Sequence, residues 1–353
     1  MTHCAFVPCW PRTVTPRLVP VSPAEEPSGA PLNVRVVIPV YRGEDTLPSL
    51  LEELAALHAP QTTPAGRRFR VSEVLLVWDR GPGRSDEVIR QLALKYPWAR
   101  PIWLSRNFGQ HAATLAGMTS SGGDWIVTMD EDGQQDPAFI PAMIDAAYAA
   151  GAQLVYAKPT NPPPHSWLRN LGSRMAKGIF VRFLADQKFE AFNSYRLVLG
   201  EVGRSGAAYT GTGVYLDVAL SWVVGDVTTC PVTVRSEGRP AGNYNYSRLF
   251  SHFGRLVVSS GTKPLIFVSV IGIAFVVLGG LAALWVAFEA LFGAVPVSGW
   301  ASMFIALMVV GGAVMLSLGI IAQYIGAATN MSLGKPLYVV VRDPETTYDP
   351  DSD

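Results

Sequence analysis

The chain has 353 residues, of which 49% are hydrophobic and only 16% are charged, and its mean hydropathy is +0.24. Soluble domains carry about 25% charged residues, so this composition excludes a disordered or fibrous chain and argues against an ordinary soluble enzyme. The 28 basic residues balance the 28 acidic ones, which disfavours a nucleic-acid-binding protein.

The first 33 residues contain seven prolines and no apolar signal-peptide core, which predicts a disordered lead-in. From residue 34 to residue 245, apolar runs of strand length alternate with helical patterns. This alternation predicts an α/β fold, a Rossmann-like domain with a mostly parallel sheet covered on both faces. Strands are predicted at 34–40, 71–77, 101–104, 125–129 and 154–157, and helices at 47–57, 88–96, 112–118 and 137–150.

Polar residues follow four of the predicted strands at the point where each strand ends. These segments are 41–45, 79–83, 105–111 and 130–137. Ligands of open α/β sheets bind outside the carboxyl ends of the strands, so the four segments predict one functional site. Each segment taken alone could equally supply a helix N-cap, because Ser, Asn and Asp are favoured there.

The fourth of these segments contains the acidic run Asp130-Glu131-Asp132. Three neighbouring carboxylates repel one another unless a cation or solvent separates their charges. Asp130 and Asp132 could hold one hard divalent cation that keeps open positions for diphosphate oxygens. A solvated acidic turn is the alternative interpretation.

The segment 246–262 has the pattern of an amphipathic helix. Arg248, His252 and Arg255 fall on one side of it, and apolar residues fall on the other. Such a basic helix next to a membrane span is expected to lie among lipid headgroups. Packing against the preceding domain is the alternative.

Two long uncharged runs then predict a transmembrane hairpin over residues 263–328. Leu265–Phe288 contains no charge, and neither does Trp300–Gly334. About 20 apolar residues span a bilayer core. Lys and Arg flank the hairpin but are missing from its link, so both ends and the 329–353 tail are predicted to be cytoplasmic. The sequence thus predicts a multi-pass protein of the cell (inner) membrane with a cytoplasmic catalytic domain.

Several motifs together resemble family 2 glycosyltransferases of the GT-A fold. They are Val37–Tyr41, Asp79, Leu104–Gly117, the D-x-D-x-Q run in Met129–Pro137, and Arg239–Tyr246. More closely, the chain resembles the polyprenyl-phosphate branch, with dolichyl-phosphate mannose synthase, bactoprenol glucosyltransferase and undecaprenyl-phosphate formamidoarabinose transferase as relatives. The resemblance extends over about residues 34–342.

The resemblance implies a donor site for a UDP- or GDP-linked sugar. Asp79 would contact the base, and Arg106 and Asp130 would lie at the donor. The resemblance also implies that Asp130, Asp132 and Gln134 coordinate Mg²⁺ or Mn²⁺. The remaining pocket residues implied are Pro39, Tyr41 and Glu44.

The chain departs from the family pattern in the donor motifs. Asp79 is followed by Arg80-Gly81 where the family usually has D-D-G-S-x-D, Arg42 stands in place of Asn, and Tyr244 in place of Ser. These departures bear on the identity of the base and the sugar. The Q-x-x-R-W run of processive synthases does not occur, which predicts a single transfer.

A second set of residues is implied for the acceptor, a polyprenyl phosphate. These acceptor-phosphate candidates are Arg169, Ser173, Arg196 and Arg239, and Arg suits phosphate because its fork makes paired hydrogen bonds. Each arginine could instead be a plain surface residue. Asp217 lies where related inverting enzymes keep a base, and we expect it to orient rather than to remove a proton. The catalytic set expected is therefore Asp132, Asp217 and Arg239.

Two other functions remain open from the sequence. One is a non-catalytic membrane scaffold that keeps a degenerate GT-A fold, which the altered motif after Asp79 would favour. The other is a glycosyltransferase with a non-lipid acceptor, which would need no membrane anchor. Self-association is also left open.

Overall fold

A nine-stranded sheet organises the part of the chain that the computed structural model describes. The described residues are 30–161, 192–211, 214–235, 281, 284, 288, 299–333 and 336–347. The strands are β1 (Leu32–Val40), β2 (Gln61–Thr62), β3 (Arg68–Trp78), β4 (Ala99–Leu104), β5 (Trp125–Thr128), β6 (Leu154–Pro159), β7 (Arg196–Leu199), β8 (Val227–Val232) and β9 (Val340–Val341).

The sheet is mostly parallel, as expected. Its order is β8-β6-β7-β5-β1-β3-β4-β9, with β2 paired to β3. Strands β1, β3, β4, β5, β6 and β8 run in one direction, whereas β2, β7 and β9 run against them. The carboxyl ends of β1, β3, β4 and β5 therefore meet at one edge of the sheet.

Helices cover both faces of the sheet. These helices are α1 (Leu47–Ala55), α2 (Ser85–Lys95), α3 (Gln110–Ser120), α4 (Ile140–Ala150), α5 (Gly200–Tyr209) and α6 (Leu216–Val223). Two further helices, α7 (Trp300–Ser332) and α8 (Pro344–Thr347), follow later in the chain. One apolar core joins the sheet to α1, α2 and α4, and a second joins it to α3, α5 and α6. Alternate residues of β1 supply both cores, because Val36 and Ile38 face one and Val37 faces the other.

The elements predicted from periodicity are confirmed, with ends that differ by a few residues. Helix α1 buries Leu47, Leu50, Leu51 and Leu54, the side predicted to be apolar. The predicted helix 137–150 begins with a 3₁₀ turn at Pro137–Phe139 before α4. Antiparallel β7 and β9 were not predicted, since both are short and lie far in sequence from the strands they pair with.

Helix α7 falls in the second uncharged run of the sequence and is 33 residues long. Within the described ranges, no helix is long and apolar enough to cross a membrane. The 246–262 segment lies outside the described residues, as does nearly all of the first uncharged run.

The segment after α7 returns to the sheet. Strand β9 pairs with the end of β4, and the Ser105 N–H donates to the Val339 carbonyl oxygen (2.9 Å). Asp343 then accepts from the Arg90 guanidinium on α2, with Nη2–Oδ1 at 2.8 Å and Nε–Oδ2 at 2.9 Å. The tail predicted at 329–353 therefore contributes an edge strand beside the loop that follows β4.

Arg90→Ala is expected to loosen this edge strand. The guanidinium is largely buried and also pairs with Asp86 and Glu345, so its loss should destabilise the docked segment by about 1 kcal/mol. Hydrogen exchange of the amides at 340–341 measures the effect, and they should exchange about fivefold faster. Arg84→Ala is the matched control because Arg84 pairs with Glu87 three residues along. Equal exchange in both variants would contradict the assignment.

Candidate active site

Four loops meet at the carboxyl ends of β1, β3, β4 and β5. They are residues 41–46, 79–84, 105–109 and 129–136. The first two loops touch so closely that a Cβ on Gly81 would lie 1.6 Å from the Tyr41 carbonyl oxygen. Only glycine permits this approach, which explains the residue that follows Arg80. The structure thus brings together the four polar segments that the sequence indicated.

Asp79 is buried beneath the loop that follows β4. Its two carboxylate oxygens accept from the N–H groups of Phe108 (2.7 Å) and Gly109 (2.8 Å). Burial raises the pKa of Asp79, and the two N–H donors and the charge of Arg106 oppose that rise. The carboxylate expected to contact a base therefore holds the neighbouring loop in place, and its contact with a base stays a prediction.

Asp130 is half-buried and held by three side chains. Its Oδ1 accepts from Gln110 Nε2 (2.5 Å), and its Oδ2 accepts from Gln135 Nε2 (2.8 Å) and Ser194 Oγ (2.6 Å). Burial raises the pKa of Asp130, the Ser194 hydrogen bond opposes the rise, and the charge of Asp132 adds to it. The side chain is therefore fixed in position before any ligand binds.

Asp132 is exposed at the tip of the same loop. Its Oδ1 accepts from the Gln134 N–H (3.0 Å), which closes a turn around Gly133, where φ is 72°. The charge of Asp132 also raises the pKa of Asp130, as expected for two carboxylates on one loop. Such hard oxygen ligands fit Mg²⁺ or Mn²⁺ with coordination left for a diphosphate. Among the described residues no three His, Cys, Asp or Glu side chains form a metal-binding group.

The other predicted donor residues lie on or next to these loops. Tyr41 is 42% exposed, and Pro39 is buried at the end of β1. The carboxylate of Glu44 accepts from the Ser85 hydroxyl (2.5 Å) at the start of α2. Arg106 is exposed, with its guanidinium 4.1 Å from the centre of the aromatic ring two residues later. Tyr41 and Arg106 are thus exposed on the first and the third of the four loops.

Asp217 and Arg196 form a buried ion pair instead of lying open at the edge of the sheet. Each is 3% exposed, and the Arg196 guanidinium donates to Asp217 Oδ1 and, through Nε, to Thr128 Oγ1 (2.9 Å). The Tyr156 hydroxyl also donates to Asp217 Oδ1 (2.8 Å). Burial raises the pKa of Asp217, and Arg196 and Tyr156 oppose that rise.

These contacts bear on two roles predicted from the sequence. Arg196 was expected to bind the acceptor phosphate, which does not fit a guanidinium that is buried and paired with a carboxylate. Asp217 was expected among the catalytic residues as an orienting group and not as a base, and its carboxylate lies in the interior between α6 and β7. The other acceptor candidates, Arg169, Ser173 and Arg239, lie outside the described residues.

Sequence reasoning missed the residues that hold the site together. The Glu131 carboxylate accepts a hydrogen bond from the Tyr41 N–H in the loop after β1. The backbone N–H of Arg235 donates to the Gln134 carbonyl oxygen (2.9 Å), and its guanidinium pairs with Asp136 (2.9 Å). The acidic run drew attention to Glu131, but the sequence pattern indicated roles only for the two aspartates beside it. The residues found only from the structure are Gln110, Glu131, Gln135, Ser194 and Arg235.

Comparisons with known proteins agree with the motifs. The model of the glycosyl transferase family 2 matches residues 35–209. An undecaprenyl-phosphate 4-deoxy-4-formamido-L-arabinose transferase from Pseudomonas paraeruginosa is 30% identical over 328 residues, covering 88% of this chain and 89% of that protein. A bactoprenol glucosyl transferase from Shigella phage SfV is 24% identical over 316 residues, covering 89% of this chain and 100% of that protein.

Among solved structures, the chain is similar to S. aureus TarS 1-349 in complex with UDP-GlcNAc. It is 13% identical, with a TM-score of 0.45, and the match covers 66% of this chain and 67% of that one. At this TM-score the likeness does not bear on the chemistry of the site. The sequence relationships are stronger: the chain belongs to glycosyl transferase family 2, and it is a glycosyltransferase.

Proposed function

We propose that this glycosyltransferase moves one sugar from a nucleotide-sugar to a polyprenyl phosphate. The observation that carries the proposal is similarity over 88% and 89% of the chain to relatives named for undecaprenyl phosphate and bactoprenol. The similarity extends well beyond the part matched by the family model, so it includes segments outside the donor loops.

The donor is proposed to bind where the four loops meet. Tyr41 and Glu44 lie on the first loop and Arg106 on the third, and these would contact the nucleoside part. Asp130 and Asp132 would hold Mg²⁺ or Mn²⁺ beside the diphosphate, with Gln134 on the same turn. The metal, when bound, neutralises the charge that develops on the leaving nucleoside diphosphate.

The acceptor needs no general base in this proposal. A phosphate monoester with a second pKa of about 6 is mostly a dianion at pH 7 and is already nucleophilic. One of its oxygens attacks the anomeric carbon, the new C–O bond forms with inversion, and the bond to the nucleoside diphosphate breaks. Arg169, Ser173 and Arg239 are proposed to position the phosphate. The interior location of Asp217 supports a mechanism in which this residue removes no proton.

The proposed acceptor also assigns roles to the C-terminal half of the sequence. We infer from its charge pattern that the 246–262 segment lies at the membrane surface and that the uncharged runs of 263–328 anchor the protein in the cell (inner) membrane. The domain of residues 34–245 would then act on the cytoplasmic side, where nucleotide-sugars are available.

A transfer assay with a panel of donors tests this function. Membranes containing the full chain are incubated with labelled UDP- and GDP-sugars, with undecaprenyl phosphate, with undecaprenol, or without added lipid. We expect one donor to label the organic-soluble fraction, and only when the phosphate is present. Label on a protein or a water-soluble acceptor would favour the non-lipid alternative. Nucleotide binding without transfer from any donor would favour the scaffold.

A further inference from the structure

The loop between β1 and α1 is held by the side chain that stands between the two aspartates. Glu131 Oε2 accepts from the Tyr41 N–H (2.9 Å), and Oε1 accepts from the Arg42 N–H (2.9 Å). In return, the Thr46 hydroxyl donates to the Glu131 carbonyl oxygen (2.6 Å). Two loops about 90 residues apart in sequence are therefore joined by four hydrogen bonds, the fourth running from the Arg42 N–H to Glu131 Oε2 (3.1 Å).

The contact leaves little room between the two loops. A Cβ added to Gly43 would lie 2.8 Å from Glu131 Oε2, so a larger residue there would push the carboxylate away. The backbone N–H of Gly43 in turn donates to Ser85 Oγ (3.0 Å) at the start of α2. The loop is thus fixed from both sides, by Glu131 on one and by α2 on the other.

The three consecutive acids are divided between two tasks. The Asp130 carboxylate accepts hydrogen bonds from side chains of α3, of its own loop and of the segment before β7. Both Glu131 oxygens instead accept from backbone N–H groups of the first loop. Charge-assisted bonds from N–H groups to a carboxylate are stronger than neutral ones. Both Glu131 oxygens thus serve the backbone of the first loop, a task separate from the one proposed for Asp130 and Asp132.

We propose that Glu131 is a positioning residue of the donor site. It fixes the backbone at Tyr41 and Arg42 relative to Asp130 and Asp132, so that the parts that bind the nucleoside and the diphosphate form one rigid unit. This inference rests on the proposed function, because it assumes that these two loops bind one donor. It predicts that Glu131 contributes to donor affinity and not to the chemical step.

Glu131→Gln is the direct test, with Glu201→Gln as the control. Glutamine keeps one acceptor oxygen but turns an NH₂ group toward the second N–H, so one of the two bonds is lost. We expect the KM for the nucleotide-sugar to rise about tenfold, as for the loss of one charge-assisted hydrogen bond. The kcat at saturating donor and the KM for the lipid should change less than about twofold. Glu201 is an exposed acid on α5, and because β7 runs antiparallel to β5, the start of α5 lies at the edge of the sheet opposite the four loops. Its amide variant should match the wild type.

Two results would overturn the proposal. The first is a donor KM for Glu131→Gln that equals the wild-type value. The second is a loss of kcat as large as that of an Asp132 variant with unchanged donor KM, which would make Glu131 a metal ligand. If Glu131→Gln does not fold, Glu131→Asp, which keeps the charge on a shorter side chain, decides by the same two criteria. Absence of transfer by the wild type would instead reject the proposed function.

Discussion

Asp132→Ala is expected to lower the rate of sugar transfer by about a thousandfold. The exposed Asp132 carboxylate is, with Asp130, one of the two charged groups proposed to hold the metal beside the diphosphate, and alanine leaves half of that ligand set. The measurement is the initial rate at saturating donor and lipid. Because the side chain is exposed, the melting temperature should stay within about 2 °C of the wild-type value.

Asp226→Ala is the matched control for this variant. Asp226 is also an exposed acid, but it precedes β8 and so lies at the opposite edge of the sheet from the four loops. Its loss should leave the rate unchanged. Removal of metal by EDTA should abolish transfer in the wild type, and added Mg²⁺ or Mn²⁺ should restore it. Full activity in EDTA would contradict the metal assignment.

Asp217→Asn is expected to destabilise the fold by about 3 to 5 kcal/mol. The substitution leaves the Arg196 charge in the interior without its carboxylate partner, and a buried unpaired charge is very costly. Denaturant unfolding of the full chain, followed by tryptophan fluorescence, measures the loss. The double variant Arg196→Met with Asp217→Leu should regain most of the stability, since it removes both charges together.

The same variant separates a structural role of Asp217 from a role as base. If Asp217 only supports the fold, the folded fraction of Asp217→Asn should retain a turnover rate within about tenfold of the wild type. A loss of turnover as complete as that of Asp132→Ala, with unchanged stability and donor affinity, would restore a general-base mechanism.

Local patterns in the sequence were enough to predict most of the helices and strands. The leucines of α1 recur at helical spacing, and β1 is a continuous apolar run, so both elements could be predicted from neighbouring residues alone. The order of polar segments after the parallel strands also located the site, because parallel strands must place their carboxyl ends together.

Contacts between distant residues could not be predicted in this way. Arg196 and Asp217 are 21 residues apart on different elements, and no periodicity links them. An arginine near a predicted phosphate site has the same sequence signature whether it faces the ligand or a buried carboxylate. The role of Glu131 could not be predicted for a related reason, because the orientation of its side chain depends on a loop 90 residues away in sequence.

The mass of the lipid product tests the central claim most directly. The full chain is incubated with undecaprenyl phosphate and the donor that gives label in the panel, and the extracted lipid is analysed by mass spectrometry. The account predicts one product, heavier than undecaprenyl phosphate by a single sugar residue, and none with Asp132→Ala. A lipid carrying several sugars, a lipid carrying a sugar phosphate, or a product without lipid would contradict it.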